Sequence, residues 1–182
     1  MGVTSLGFGA TFTAFTYITP IMIQISDFTE QTASMLLLIF GAATFIGNLG
    51  GGSAAARFGW HRALLGIFAA LALALSFLLF AMHQQWLMVA TLFIWGMLAF
   101  AISPSLQAGM LSIAEKYTPK AVGFTSALNI SAFNLGIALG ESAGGRLVSI
   151  GEMAYTPAAG IVMVMLAIVP LYYLIVTNRK TT

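Results

Sequence analysis

Apolar residues run through this chain in six long blocks, and short polar clusters separate them. The blocks span roughly residues 4–26, 33–57, 62–82, 86–113, 121–150 and 155–177. The punctuation between them is Ser26-Asp27-Phe28-Thr29-Glu30, then Phe58-Gly59-Trp60-His61-Arg62, then His83-Gln84-Gln85. Glu115-Lys116-Tyr117-Thr118-Pro119-Lys120 and Gly151-Glu152 complete it. Each block reaches the ~20 mostly apolar residues needed to cross ~30 Å of hydrocarbon as a helix. The pattern therefore predicts an all-α membrane protein of six transmembrane helices, in which 1–182 is one bundle.

Composition agrees. Of 182 residues, 59% are hydrophobic and 7% charged, against about 25% charged in soluble domains. So little charge cannot cover a water-exposed surface, and the partner it implies is the lipid bilayer. With no cysteine, disulfide frameworks, thiolate metal sites and cysteine nucleophiles are excluded. A formal charge of +2 gives no reason to expect nucleic acid, and nothing points to a cofactor or metal. The N-terminus lacks the basic start and small-residue cleavage site of a signal peptide, so the first block reads as a retained helix.

Charge placement orients the spans. Arg57 and Arg62, Lys116 and Lys120, and Arg179 and Lys180 fall in turns or tails that alternation puts on one side; Arg146 alone is opposite. The positive-inside rule makes that side the cytoplasm. Both termini are then expected in the cytoplasm, with the protein multi-pass in a plasma membrane such as the bacterial inner membrane.

Polar residues within the blocks divide them further. Residues 64–80 contain one polar side chain, Ser76, and 158–176 only Tyr172 and Tyr173, so the third and sixth spans read as lipid-facing supports. The first span carries Thr11, Thr13, Thr16, Tyr17 and Thr19; the second, Thr44 and Asn48. The fourth carries Ser103, Ser105 and Gln107; the fifth, Ser126, Asn129, Ser131, Asn134, Glu141 and Ser142. Two polar-bearing spans followed by one apolar span, twice over, suggest two three-helix repeats, 4–82 and 86–177. Tyr17-Ile18-Thr19-Pro20 echoes Ala101-Ile102-Ser103-Pro104, and Asn48-Leu49-Gly50 echoes Asn134-Leu135-Gly136. Three is odd, so the second repeat enters from the opposite side; inverted repeats of this kind mark secondary transporters. Gly136, Gly140 and Gly144, like Gly47, Gly51 and Ala55, form small faces that let backbones approach. Another face of the fifth helix carries Ala127, Ser131, Asn134, Ala138 and Glu141.

The segment Gly52-Ser53-Ala54-Ala55-Ala56-Arg57-Phe58-Gly59-Trp60-His61-Arg62 resembles the Gly-x-x-x-Asp-Arg-x-Gly-x-Arg-Arg loop of the major facilitator superfamily. Gly52, Arg57, Gly59 and Arg62 match; Ala56 replaces the aspartate and His61 a basic residue. Residues 15–20 and Asn129-Ile130-Ser131-Ala132-Phe133-Asn134-Leu135-Gly136 resemble the seventh and eleventh helices of sugar and drug efflux proton antiporters of the arabinose efflux permease type. The resemblance covers the whole chain but only the C-terminal six helices of a twelve-helix family. It implies alternating access, with two bundles rocking about a central site. It also implies that Gly52, Arg57, Gly59 and Arg62 form a cytoplasmic gating loop; the missing aspartate leaves open that the two arginines only follow the positive-inside rule.

Depth ranks the polar residues. At 1.5 Å per residue, Asn134 lies ~15 Å in from Phe124, near the midplane, and Glu141 ~25 Å in, near the outer interface. Thr13, Thr16 and Tyr17 share a face near the middle of the first span, and Thr44 is central in the second. Thr13, Thr16, Tyr17, Thr44, Asn48, Asn129 and Asn134 form the expected substrate pathway, each with helix–helix hydrogen bonding as the other reading. Glu141, the sole carboxylate within a span, is the proton-coupling candidate; the alternative is that it faces outer-side water or Arg146. Gly140-Glu141-Ser142-Ala143-Gly144 fits the Gly-x-Ser-x-Gly elbow, but that motif needs a strand-to-helix turn and a following histidine. None follows Ser142, so an enzyme is not expected. With Met1 close to the first span, three assemblies are compatible: a separate second six-helix half, a homodimer, or an inert product. The expected ligand is a small molecule such as a sugar or drug.

Overall fold

The computed structural model describes residues 1–179, with side chains through 176; Lys180 of the basic tail lies outside the described residues. It contains six helical spans long and apolar enough to cross a membrane. The first is two helices, α1 (Gly2–Phe15) and α2 (Ile18–Gln24). The others are α3 (Glu30–Phe58), α4 (Trp60–Ala81), α5 (Gln85–Tyr117), α6 (Val122–Ser149) and α7 (Thr156–Arg179).

Local chemistry sets several ends. The Thr29 hydroxyl accepts the N–H of Thr32 and caps α3, with Glu30 in the favourable first turn. A single residue, Gly59, joins α3 to α4. Its φ of 82° lies in the left-handed region, which a side chain disfavours and glycine enters freely. At the opposite end of the bundle Gln85 Nε2 donates to the carbonyls of Ser26 and Asp27, and Ser26 Oγ donates to that of Met82. These bonds tie the α2–α3 turn to the α4–α5 turn.

Two parallel helix pairs build the bundle. On α3 a Cβ at Gly47 would overlap the backbone carbonyl of Met97, and one at Gly51 that of Ala101. On α6 Gly136, Gly140 and Gly144 lie in the same way on the carbonyls of Ser5, Gly9 and Thr13 of α1. In both pairs the residue numbers rise together, so α3 runs parallel to α5 and α6 to α1, as an even number of membrane crossings requires. One serine hydroxyl pins each pair: Ser105 donates to the Gly51 carbonyl at 3.1 Å and Ser5 to that of Ala132 at 2.8 Å. α4 packs on α5 and α7, and α7 on α1.

These contacts map onto themselves when the first span is exchanged with α5, α3 with α6, and α4 with α7. The architecture is an inverted-repeat six-helix bundle. Its register differs from the sequence echoes. The α6 face has one glycine more than the α3 face, so packing matches Gly47 and Gly51 either to Gly136 and Gly140 or to Gly140 and Gly144, about one to two turns from the pairing the Asn-Leu-Gly echo suggests. Correspondingly it matches Met97 and Ala101 to Ser5 and Gly9 or to Gly9 and Thr13, about one to two turns from the pairing of the prolines.

The core lies between α1, α4, α5 and α7, with Phe68, Leu71, Leu75, Leu92, Ile102 and Leu171 buried. Phe15, Phe40 and Trp95 from α1, α3 and α5 close one part of it by ring contacts at 4.7 to 6.3 Å. α4 and α7 each bury one face and expose another, with Leu73, Phe77 and Phe80 on α4 and Val162, Met165 and Val169 on α7. Large exposed apolar side chains also stud α3 and α6, among them Phe45, Leu49, Phe124 and Leu135. Exposed apolar side chains are therefore not confined to the two apolar spans the sequence singles out.

Neighbouring glycines separate the two uses of this residue. Gly51→Ala should lower the unfolding midpoint in detergent clearly, with a cost of about 1–3 kcal/mol for overpacking. Gly50→Ala, whose Cβ meets nothing within 4 Å, should be neutral or stabilising by up to about 1 kcal/mol through helix propensity. Thermal or denaturant unfolding of the two variants checks this.

Candidate functional site

The first span is expected as one helix and is instead broken at Thr16 and Tyr17. Pro20 is one cause, since it has no N–H to give to the carbonyl of Thr16 and its ring crowds that carbonyl. Proline alone does not decide the matter, because Pro104 and Pro170 sit inside continuous helices. Docking against α6 is the second cause. Tyr17 Oη donates to the backbone carbonyl of Glu141 at 3.0 Å, and Thr16 Oγ1 donates to Glu141 Oε1 at 3.2 Å. The phenol reaches there because α6 has glycine beneath it. A Cβ at Gly144 would stand 2.7 Å from the ring, and one at Gly145 2.7 Å from the hydroxyl.

Thr16, Tyr17 and Glu141 thus converge. Glu141 is eight residues from the Ser149 end of α6, ~12 Å along its axis, and its bond goes to Thr16, not to Arg146. Thr16 is exposed, and Tyr17 and Glu141 are half-buried.

Asn129 belongs to a second cluster. It is 7% exposed. Its Oδ1 accepts from Thr4 at 2.8 Å, its Nδ2 donates to Gln107 Oε1 at 3.1 Å, and Gln107 Nε2 donates to Ser126 Oγ at 2.7 Å. This relay joins α1, α5 and α6. Gln107 and Ser126 are visible in sequence as polar residues within spans, but nothing there shows that they meet Asn129 or that Thr4 joins them.

The remaining residues are dispersed. Thr13 is fully buried where α1 meets α6 and α7, and its hydroxyl donates to the Ala10 carbonyl of its own helix. Thr44 donates to the Gly41 carbonyl in the same manner. Asn48 and Asn134 are exposed. They lie on the exchanged helices α3 and α6, ~15 Å from Phe58 and ~18 Å from Val122, ends that share one side of the bundle. Along α6, Ala127, Ser131, Asn134 and Ala138 form an exposed strip, while Gly136, Gly140 and Gly144 on another face are buried. At the α3–α4 turn Arg57 lies over the Phe58 ring at 5.5 Å, Arg62 is exposed, and Gly52 lies in ordinary contact with Pro104. Ser142, the residue of the rejected elbow, lies within α6 and donates to the Ala138 carbonyl.

The docked tyrosine gives a measurable expectation. Tyr17→Phe removes one hydrogen bond and little volume, so it should destabilise the bundle by about 0.5–1.5 kcal/mol. Asn129→Ala strands the Thr4 hydroxyl in a buried setting and should cost more, about 1–3 kcal/mol. Denaturant titration of both in the same detergent checks the order.

Comparison with known proteins places this geometry. The family model described as Major Facilitator Superfamily matches residues 1–182. The chain is 37% identical over 167 residues to the uncharacterized MFS-type transporter YtbD of Bacillus subtilis, covering 92% of this chain and 42% of that protein. It is 34% identical over 168 residues to the inner membrane transport protein YdhP of Escherichia coli K12, covering 91% and 41%. A probable sugar efflux transporter of Helicobacter pylori is 28% identical over 171 residues, covering 93% and 42%. The chain spans about two-fifths of the length of these curated relatives. Their names are those of transport proteins and not of enzymes, and six spans packed as an inverted repeat are what half of such a protein requires: this chain belongs to the major facilitator superfamily.

Proposed function

We propose that the chain is the C-terminal six-helix half of a secondary transporter that exports a small molecule, a sugar or drug, in exchange for protons. The subtype is the sugar and drug efflux antiporter of the arabinose efflux permease kind. Its membrane is the bacterial inner membrane, with both termini cytoplasmic and repeats at 4–82 and 86–177. The carrying observation is the pair of exposed amides, Asn48 and Asn134, at one depth on the two exchanged helices. In hydrocarbon such groups are costly, whereas facing a watery cavity they are satisfied. A second six-helix bundle, a separate half or another copy of this chain, would complete that cavity.

In this reading Thr16, Tyr17, Asn48, Asn129 and Asn134 supply polar contacts along the pathway. Thr13 and Thr44, whose hydroxyls are engaged within their own helices, contribute wall. A helix broken within the membrane supports the reading, since discontinuous helices form the sites of many transporters. Glu141 carries the proton. Ionised, it holds the break through a charge-assisted bond from Thr16; protonated, that bond falls to the weaker neutral kind. The break is then freer to move against α6. Gly52, Arg57, Gly59 and Arg62 close the cytoplasmic face, Gly59 by permitting the one-residue turn.

The test joins this chain behind the N-terminal bundle of the Bacillus relative and reconstitutes the product in liposomes. A panel of radiolabelled sugars and fluorescent drugs is offered under an imposed pH gradient. At least one should accumulate against its gradient. Glu141→Gln should abolish that accumulation by tenfold or more and retain downhill exchange. Accumulation that survives Glu141→Gln removes the coupling role, and a correctly inserted protein that moves nothing removes the transporter reading.

A further inference from the structure

α4 and α5 are joined by a short turn and pack side by side. The surface along their seam carries a groove of about 280 Å³, lined on α4 by Ala70, Leu73, Ala74 and Phe77 and on α5 by Ile94 and Leu98. Positions 70, 73, 74 and 77 share one helix face. Alanine at 70 and 74 puts small side chains where the two helices meet, so the seam stays open. Leu73, Phe77 and Ile94 are 71%, 47% and 51% exposed and form its rims.

The lining selects an apolar occupant. Its one polar side chain, Thr91, is buried, and the hydroxyl donates to the Leu87 carbonyl of its own helix at 2.7 Å. No lining side chain offers an N–H or a charge. A buried water needs about two to four polar partners, so water does not settle there. A groove left empty forfeits dispersion contacts along its length. It is continuous with the surface that α4 turns to the bilayer, where Leu73, Phe77 and Phe80 are exposed. Hydrocarbon is therefore what reaches it. On α4 the lining runs from Phe77, ~6 Å short of Ala81, to Ala70, ~17 Å short of it. On α5 it runs from Thr91, ~9 Å past Gln85, to Leu98, ~20 Å past it. The hydrocarbon of one leaflet is ~15 Å deep. The groove thus follows the distal half of an acyl chain whose headgroup stands at the level of the α4–α5 turn.

We propose that the α4–α5 groove is a binding site for one acyl chain of a phospholipid from the leaflet on the side of that turn, held in preference to lipid elsewhere around the bundle. A chain seated there touches two helices at once, and each further contact adds dispersion energy. The exposed row Val162, Met165 and Val169 of α7 gives the comparison. These residues lie ~9 to ~20 Å past Thr156, at the depth of the groove and from the same side of the bundle, since α5 and α7 are two crossings apart. A chain lying along that row meets the face of a single helix. The site follows from embedding in the bilayer and is independent of transport.

The test reconstitutes the full chain in liposomes of phosphatidylcholine doped with the same lipid carrying a diazirine near one chain end. After irradiation, mass spectrometry of peptides maps the labelled residues. In wild type, labelling of Leu73, Phe77, Ile94 and Leu98 should exceed that of Val162, Met165 and Val169 by roughly threefold or more. Ala70→Phe fills the groove from its partly exposed floor. It should bring labelling of Ile94 and Leu98 down to the level of the α7 row and leave that row unchanged. Leu73→Ala lowers a rim without touching the core and should reduce labelling of Ile94 and Leu98 by roughly twofold. Constant labelling of α7 certifies the fold of each variant. Equal labelling of groove and α7 in wild type, or groove labelling indifferent to both substitutions, would overturn the proposal. The chain has no cysteine, so Leu73→Cys introduces a single thiol. A groove spared by the label, with disulfide-linked dimers of Leu73→Cys on mild oxidation, would assign it to a second copy and overturn the lipid site.

Discussion

Everything in this bundle depends on how closely α6 can approach α1 and α3 can approach α5. In lipid, hydrocarbon outside the bundle is as good a neighbour as hydrocarbon within it, so burial of apolar surface does little to bring helices together. Close packing and interhelical hydrogen bonds must supply the difference. The glycine faces at 47 and 51 and at 136, 140 and 144 supply the packing by laying one backbone on another. The serine-to-carbonyl bonds of Ser105 and Ser5 supply the second term. The same approach brings functional groups into reach. Gly144 and Gly145 admit the Tyr17 ring to α6, and from there Thr16 reaches Glu141.

Symmetry and its violation then divide the roles. The exchange that superposes α3–α5 on α6–α1 preserves the packing, but the polar decoration differs between the halves. The first span is broken and bonded to a carboxylate; its counterpart α5 keeps Pro104 within an unbroken helix. In α5 the residues one turn before the proline, near Ala101, are packed against Gly51. In the first span Thr16 keeps helical dihedrals, Tyr17 departs from them at φ −106° and ψ 9°, and both side chains have partners on α6. One proline-containing signature therefore yields two structures, and the neighbouring helix decides between them.

The six spans, their alternation and the two uses of α6 were legible in the residues. A span is a local property of length and hydropathy, and faces at three- to four-residue spacing follow from helical geometry. Gly140 and Asn134 could thus be assigned to different faces from their positions alone. The break at Thr16 was not legible, because Pro20, Pro104 and Pro170 look alike along the chain. Nor could the sequence show that Asn129 would be buried in a relay with Thr4 and Gln107 while Asn134 stood exposed. Both are asparagines of one helix, and the difference lies in which neighbour covers each.

The sequence by itself thus determined that this protein lives in a bilayer as six helices, that small faces and polar faces are kept apart, and that one carboxylate lies within a span. Each of these is a sum over adjacent residues and needs no partner. Only the tertiary structure decided which helix each glycine face would meet, where the first span would break, and what Glu141 would hold. Those outcomes rest on contacts between residues more than a hundred positions apart, such as Thr16 with Glu141 and Thr4 with Asn129. Hydrogen bonds of that kind form only after packing has set the distance between backbones.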